Sequence, residues 1–240
     1  MRPWRGFTKV LDRKVKQLDI RNEVCNDMSN MKGKSMPLRL YFMRHGETKW
    51  SISGQYTGRT DIPLTAHGEE EARALGRRLQ GISFSHVLTS PLQRAQQTCM
   101  LTGLRPQPEI EPDLAEWDNG DDAGHTPVEV LALRPGWNLF RDGSPNGESP
   151  TDISDRADHL IVRLRLMEGN VALFSHAHFG RVLAARWIGL PVEHAQNFLL
   201  DTASLSILCY EHDRVDEPAI ALWNAPALET PIERQDKKTR

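Results

Sequence analysis

Two histidines and two arginines stand where a phosphate pocket could be assembled. His45 lies in Arg44-His45-Gly46-Glu47-Thr48, at the end of the apolar run Leu38 to Met43. His176 closes the run Asn170 to Ser175, and Arg94 follows a third strand-like run, Val87 to Thr89. A neutral imidazole can attack phosphorus in line, and water then hydrolyses the phosphohistidine, so one hard displacement becomes two easier ones. His45 is the nucleophile in this reading. Negative charge on the transferring group spreads over its equatorial oxygens, so positioning, positive charge and N–H donors do most of the work. The guanidinium forks of Arg44 and Arg94 suit such an anion. His176 adds a donor, and the N–H of Ala177, opening the next helix, points the same way. His67, His86, His125, His159, His194 and His212 share no metal-ligand spacing, so no metal or cofactor is expected.

A leaving alkoxide needs a proton and the attacking water must lose one, so a carboxyl group has to stand nearby. Glu116, in Asp113-Leu114-Ala115-Glu116-Trp117-Asp118-Asn119-Gly120, is the best candidate, with Trp117 placed to desolvate it and raise its pKa toward neutrality. Asp113, Asp118, Asp121 and Asp122 compete, and spacing alone does not choose among them. His178 either lines the pocket or serves as a helix-surface or supporting residue, and Arg181 and Arg186 read as solvated. Arg141 either reaches a second phosphate or pairs with Asp142 or Glu148. Trp117 and Trp137 either wall the cleft or anchor their loops.

Alternating strand and helix signals must position these groups. Leu38 to Met43 is apolar on both faces, as a central parallel strand requires. After a long loop to about Pro63, Thr65 offers an N-cap, and Ala72, Leu75 and Leu79 form a helix stripe with Glu69 to Glu71 complementing the dipole. Val87 to Thr89 is a strand. Ser90-Pro91 then reads as a cap with proline at the first helical position, giving a helix over Leu92 to Leu101 that Gly103 stops. Thr126-Pro127 starts a short helix to about Leu133, and Pro135 to Pro150 reads as irregular. Ile153, Ala157, Leu160, Ile161, Leu164 and Met167 recur at helical spacing. Val171 to Ser175 is a strand, Phe179 to Ile188 a helix closed by Gly189, and Leu205 to Tyr210 and Ala219 to Trp223 are strands. The pattern predicts an α/β fold, a three-layer αβα sandwich around a mostly parallel sheet. Ligands in such sheets sit beyond the carboxyl ends of the strands, where His45, Arg94 and His176 fall.

With 30 Lys and Arg against 32 Asp and Glu, the chain carries no global basic field for nucleic acid or membrane, so attraction for an anion must be local. Cys25, Cys99 and Cys209 are odd in number and widely separated, which fits ordinary thiols in a reducing cytoplasm. No apolar run approaches the roughly 20 residues of a membrane span. Residues 1–35 form a basic extension, expected to be poorly ordered, and 229–240 a polar tail, leaving 36–228 as the domain. The acidic residues Asp12, Asp19, Glu23 and Asp27 argue against a transit peptide and for an appended tail or an upstream start ahead of Met36. The expected partner is a small phosphorylated substrate; assembly into a homo-oligomer stays open.

Arg44-His45-Gly46-Glu47-Thr48, Ser90-Pro91-Leu92-Gln93-Arg94-Ala95-Gln96-Gln97-Thr98, Leu114-Ala115-Glu116 with Gly120, and Ser175-His176 together resemble the histidine phosphatase superfamily, also called phosphoglycerate mutase-like, from about Leu38 to Trp223. The resemblance implies that His45 carries the phosphoryl group, that Arg44, Arg94 and His176 complete the pocket, and that Glu116 is the proton donor. It also implies phosphate contacts at Thr57 and Gly58. The stretch from Gly54 to Thr65, Trp137-Asn138 with Arg141-Asp142-Gly143, Asn146-Gly147-Glu148 and Glu217-Pro218-Ala219 resemble the sedoheptulose-1,7-bisphosphatase type, which implies a sugar phosphate or bisphosphate. Two positions depart from that pattern on the substrate side: Ala123 stands ahead of Gly124 in place of a glutamate, and Asn119 where an aromatic is common. The mutase branch holds its substrate carboxylate with lysine and arginine beyond the acid loop, and Trp117 to Leu133 contains neither. Hydrolysis is therefore expected, with phosphoglycerate mutase-type transfer and a non-catalytic binding protein as the rivals.

Overall fold

The computed structural model describes residues 36–227. The expected basic extension over 1–35, the tail over 229–240 and Cys25 lie outside the described residues. Between them the chain runs β1 (Arg39–Arg44), α1 (Lys49–Ser53), α2 (Ala66–Arg78), β2 (His86–Thr89), α3 (Gln93–Thr102), β3 (Glu109–Ile110), α4 (Pro127–Leu133), α5 (Leu139–Asp142), α6 (Pro150–Leu164), β4 (Asn170–Ser175), α7 (Ala177–Trp187), β5 (Leu205–Tyr210) and β6 (Pro218–Ala225).

The strands form one sheet in the order β3-β2-β4-β1-β5-β6. β3, β2, β4 and β1 run parallel, and β5 is antiparallel to both of its neighbours. Side chains alternate across a strand, so each strand feeds two cores. Leu40 and Phe42 of β1 join Val171 and Leu173 of β4 on the face covered by α6 and α7. Tyr41, Met43, Ala172 and Phe174 face the opposite way, against Leu75 of α2 and Cys99 of α3. That is the expected three-layer sandwich, and it explains why these strands read as continuously apolar: both faces are covered.

The position of the site follows from this topology. β1 leads onward to α2 on one face and β4 to α7 on the other, so the chains leaving two adjacent parallel strands diverge and open a crevice at their carboxyl ends. The register pairs Arg44 with Ser175, which sets His45 and His176, each the next residue, side by side.

Local caps account for most boundaries. Thr65 accepts the N–H of Gly68 at the start of α2, and Thr126 and Ser149 make reciprocal capping boxes for α4 and α6. Some expectations need correction. Ser90-Pro91 does not start α3: the helix begins at Gln93, with Leu92 as a cap whose apolar side chain makes no cap bond, and the Ser90 hydroxyl, two residues earlier, accepts the Leu92 N–H at 3.2 Å and also meets His176 Nε2. The loop to Pro63 contains α1, and the stretch from Pro135 contains α5; both are single turns, too short to leave a periodic trace. Met167 lies past the end of α6.

Candidate active site

The Arg-His-Gly-Glu-Thr run is explained residue by residue. Gly46 is pressed against the first turn of α2: a Cβ there would lie 2.4 Å from the carbonyl oxygen of Gly68. Its N–H donates to the Thr98 hydroxyl at 3.0 Å, which ties the end of β1 to α3. Glu47 accepts from the Thr65 hydroxyl at 2.6 Å, and Thr48 caps α1. His45 is held between these anchors, 4% exposed.

Hydrogen-bond partners assign the two imidazole tautomers. His45 Nδ1 lies 2.7 Å from the Gly46 carbonyl oxygen, which only accepts, so Nδ1 carries the proton and Nε2 presents its lone pair. His176 Nδ1 accepts from Arg94 Nε at 3.1 Å, so its proton sits on Nε2, which donates to Ser90 Oγ at 2.7 Å. The rings stand 5.2 Å apart. Burial, then the charges of Arg94 and Arg44, hold His45 well below the usual imidazole range. Burial and Arg94 do the same for His176. Both are therefore neutral at neutral pH, and Nε2 of His45 is free for nucleophilic attack.

Of the eight residues expected at the site, Arg44, His45, Thr57, Glu116 and Ala177 line one cavity of about 590 Å³. Arg94, His176 and Gly58 stand behind them. Arg94 is wholly buried and donates to His176 and to the carbonyls of Thr60, at 2.8 Å, and Gly58, at 2.9 Å. It thus fixes the His176 tautomer and the 57–60 loop, while burial moves it down to about 10, still protonated at neutral pH. Arg44 Nη1 donates to the Leu200 carbonyl at 2.6 Å, but its buried Nε has no partner among the described residues. An orphaned guanidinium donor on a residue that lines the same cavity as a free imidazole nitrogen is complementary to an anion.

Glu116 corrects one expectation. Trp117 does not desolvate it: that indole turns into the core, edge-on to Phe140, with its N–H on the Glu148 carbonyl at 2.9 Å. Glu116 instead caps α7, accepting the N–H groups of Trp117 and Phe179, both at 2.9 Å, and of His178 at 3.2 Å. Burial raises its pKa, but the His178 side chain and the Phe179 N–H outweigh it and hold the carboxyl well below the usual carboxylate range. The competing carboxylates are otherwise engaged: Asp113 and Asp122 pair with Arg163 and Arg134, and Asp118 and Asp121 bond the Gly120 N–H and Asn146.

Three further residues belong here that pattern reading set aside or passed over. Of the two readings of His178 the structure selects pocket lining: the residue lines the cavity with Nδ1 3.7 Å from Glu116 Oε2. Arg181, one turn further along α7, also lines it; its side chain crosses the Phe140 ring at 4.5 Å and donates to the carbonyls of Ala195 and Gln196. Burial brings it down to about 10. Arg156 of α6 ties down the acid loop, donating to the carbonyls of Asp113 and Ala115 at 2.8 Å and bidentately to Glu148. Its one available signal was an arginine within the apolar stripe Ile153, Ala157, Leu160.

Trp137 walls the cavity and also anchors its loop through the Gly143 carbonyl at 2.7 Å. Arg141 is exposed and pairs with Asp142, outside the cavity. Asn119 is wholly buried against Gly58, and neither it nor Ala123 forms part of the wall, so neither departure acts by touching substrate directly. A depression of about 780 Å³ beside the C-terminal ends of α2 and α3 is lined by no acid, imidazole or thiol. Among the described residues no cluster of three metal-ligating side chains occurs, and no helix is long and apolar enough to cross a membrane.

A doubly wound sheet carrying a neutral, tautomer-locked histidine at its switch point, with a capping carboxylate opposite, defines a phosphoryl-transfer type of site. The family model for the histidine phosphatase superfamily (branch 1) matches residues 40–226, and the chain belongs to that superfamily. It is 38% identical over 178 residues to an acid phosphatase of Mycobacterium tuberculosis, covering 72% of this chain and 87% of that protein. It is 32% identical over an alignment of 253 residues to the sedoheptulose 1,7-bisphosphatase of Saccharomyces cerevisiae, covering 78% and 93%. The solved structure of an open reading frame from Mycobacterium tuberculosis is similar with a TM-score of 0.74 at 34% identity, covering 79% of this chain and 98% of that one.

Proposed function

We propose that this protein is a phosphatase of small phosphorylated metabolites that works through a phosphohistidine on His45. The observation that carries the reading is the His45 tautomer: Nδ1 is committed to the Gly46 carbonyl, which leaves Nε2 as an unprotonated nucleophile at the switch point. In the first step Nε2 bonds to phosphorus as the ester P–O bond breaks, and the leaving oxygen takes a proton by way of Glu116. In the second, Glu116 accepts a proton from water as it attacks phosphorus, the P–N bond breaks, and inorganic phosphate leaves. Arg44 supplies a guanidinium at the cavity wall. Arg94 and His176 hold the frame through Gly58, Thr60 and Ser90, so the phosphate contacts that the resemblance implies at Thr57 and Gly58 fall on a loop Arg94 fixes.

The cavity volume suits a sugar- or nucleoside-sized ester. Tyr56, Trp137 and Phe140 offer ring surfaces to such a substrate, and Arg181 a second positive charge beyond the reacting phosphate. A sugar phosphate or bisphosphate fits that wall, in keeping with the activities named for the relatives. The test is release of inorganic phosphate from a panel of sugar phosphates, sugar bisphosphates, nucleotides and phosphoglycerates in excess chelator, compared by kcat/KM. His45→Ala should abolish release; full activity in that variant rejects the mechanism, and interconversion of phosphoglycerates in place of hydrolysis assigns the protein to the mutases.

A further inference from the structure

We propose that His178 supplies and takes back the proton that Glu116 delivers, so that the two side chains form one acid–base couple. The inference rests on the phosphatase reading of this site and adds the origin of its proton. Among the described residues, the donors within hydrogen-bond distance of the Glu116 carboxylate are backbone N–H groups, of Trp117, His178 and Phe179, with the His178 ring just beyond that distance. Three N–H donors at a helix start stabilise the carboxylate, not the acid. Departure of an alkoxide nevertheless demands a proton at that carboxyl. It must therefore arrive from a neighbour when the substrate binds.

The groups facing this corner are few. From the end of β1, His45 has its proton committed to Gly46 and Nε2 reserved for phosphorus, and Arg44 keeps its proton. His176, the cap of α7, spends both ring nitrogens on Arg94 and Ser90. Tyr56, from the loop after α1, is raised above the ordinary phenol range by burial and by Asp122, so it does not titrate near neutrality. Arg181 of α7 stays charged, and Phe140 of α5 has nothing to titrate. Asp201, across the cavity, is bonded to the Asn224 amide at 2.8 Å.

His178 is the one that fits. Its Nδ1 lies 3.7 Å from Glu116 Oε2, within the range that tightens to a hydrogen bond once substrate is bound. Its ring is held near Tyr56, centroids 5.7 Å apart, and Phe140, 5.9 Å, and its side chain keeps 20% exposure, enough to exchange protons with water. In the first step His178, entering as the imidazolium, passes its Nδ1 proton to Glu116 and on to the ester oxygen, which keeps the electron pair of the broken P–O bond, and the ring is left neutral with its remaining proton on Nε2. In the second, the proton lost by water returns through Glu116 to Nδ1 as the hydroxide oxygen bonds to phosphorus. His178 is thus a positioning residue that acts through Glu116.

The test is His178→Asn, whose amide nitrogen reaches the Nδ1 position and still donates, but has no proton to transfer. In kcat/KM, which reports the free enzyme and the first step, the variant should lose about tenfold or more on an aryl phosphate with a poor leaving group and less than about threefold on one with a good leaving group. The alkaline limb of its pH profile should move to lower pH, because a lone carboxyl holds its proton over a lower range than an imidazole. His178→Gln, of different shape, should reproduce both changes, and adding His178→Asn to Glu116→Gln should cost little beyond Glu116→Gln alone. Equal losses on both esters, an unmoved alkaline limb in either variant, or fully multiplicative losses in the double variant would overturn the couple while leaving the phosphatase reading intact. An unmodified protein that hydrolyses neither ester would overturn both.

Discussion

Acidification should unfold this protein through its active site. His45 and His176 are buried and neutral, held well below the ordinary value of 6.5 by desolvation first and by the arginines second. In the unfolded chain both protonate near that value. The unfolded state therefore binds more protons below it, and stability rises with pH across the window. For a group whose folded pKa is depressed, its contribution is complete above the unfolded value and is lost as pH falls toward the folded one. Between pH 7.5 and 5.5 each such histidine costs on the order of 1 kcal/mol and the pair roughly twice that, a sizeable part of a typical total of about 5–15 kcal/mol. Carboxylates with depressed values, such as Glu116, begin to contribute only nearer their ordinary 4.5, so the two windows separate. Denaturant unfolding at pH 7.5, 6.5 and 5.5 reads the loss directly. His176→Asn, whose amide oxygen reaches the Nδ1 position and still accepts from Arg94, carries no titrating ring and should roughly halve the pH-dependent loss whatever it does to stability at pH 7.5. A flat profile between pH 7.5 and 5.5, or an unchanged loss in His176→Asn, would refute the burial of two neutral imidazoles.

Other substitutions separate framework from chemistry. Arg156→Met leaves Glu148 without its bidentate partner and the acid loop without its tie, and should cost about 3 kcal/mol in denaturant unfolding. Gly46→Ala drives a Cβ toward the Gly68 carbonyl and should destabilise by about 1–3 kcal/mol, read as a fall of several degrees in Tm. Arg181→Ala should raise KM for substrates carrying a second anionic group far more than for simple monophosphates; an equal effect on both would remove Arg181 from substrate recognition.

Much of the architecture was legible because it is written in local periodicities. β1 and β4 are apolar on both faces, α6 carries a helical stripe behind a serine cap, and the chemistry sits at strand ends where the sheet topology opens. The single-turn helices α1 and α5 and the two-residue β3 carry no periodicity to read. The errors at the site share one cause: partners distant in sequence. Trp117 follows Glu116 directly, yet its ring belongs to the core beside Phe140. What sets the Glu116 charge is the start of α7, about sixty residues away, and no spacing pattern forecasts that a carboxylate from one loop will cap a helix from another. Serine before proline reads as a helix cap, but the Ser90 hydroxyl bonds the Leu92 N–H ahead of the helix and His176 across the sheet, a partner 86 residues away. Arg156 and Arg181 looked solvated or unremarkable on their helices, and only packing shows the carbonyls they hold.

The most direct test of the phosphohistidine mechanism is to trap the intermediate. Rapid mixing with a good phosphoryl donor, a quench in base where phosphohistidine survives, and peptide mass spectrometry should find one added phosphoryl group on His45, formed at least as fast as turnover and absent from His45→Ala. Phosphate release with no phosphorylated peptide at His45 under those conditions, or a phosphoryl group on another residue, would contradict the account.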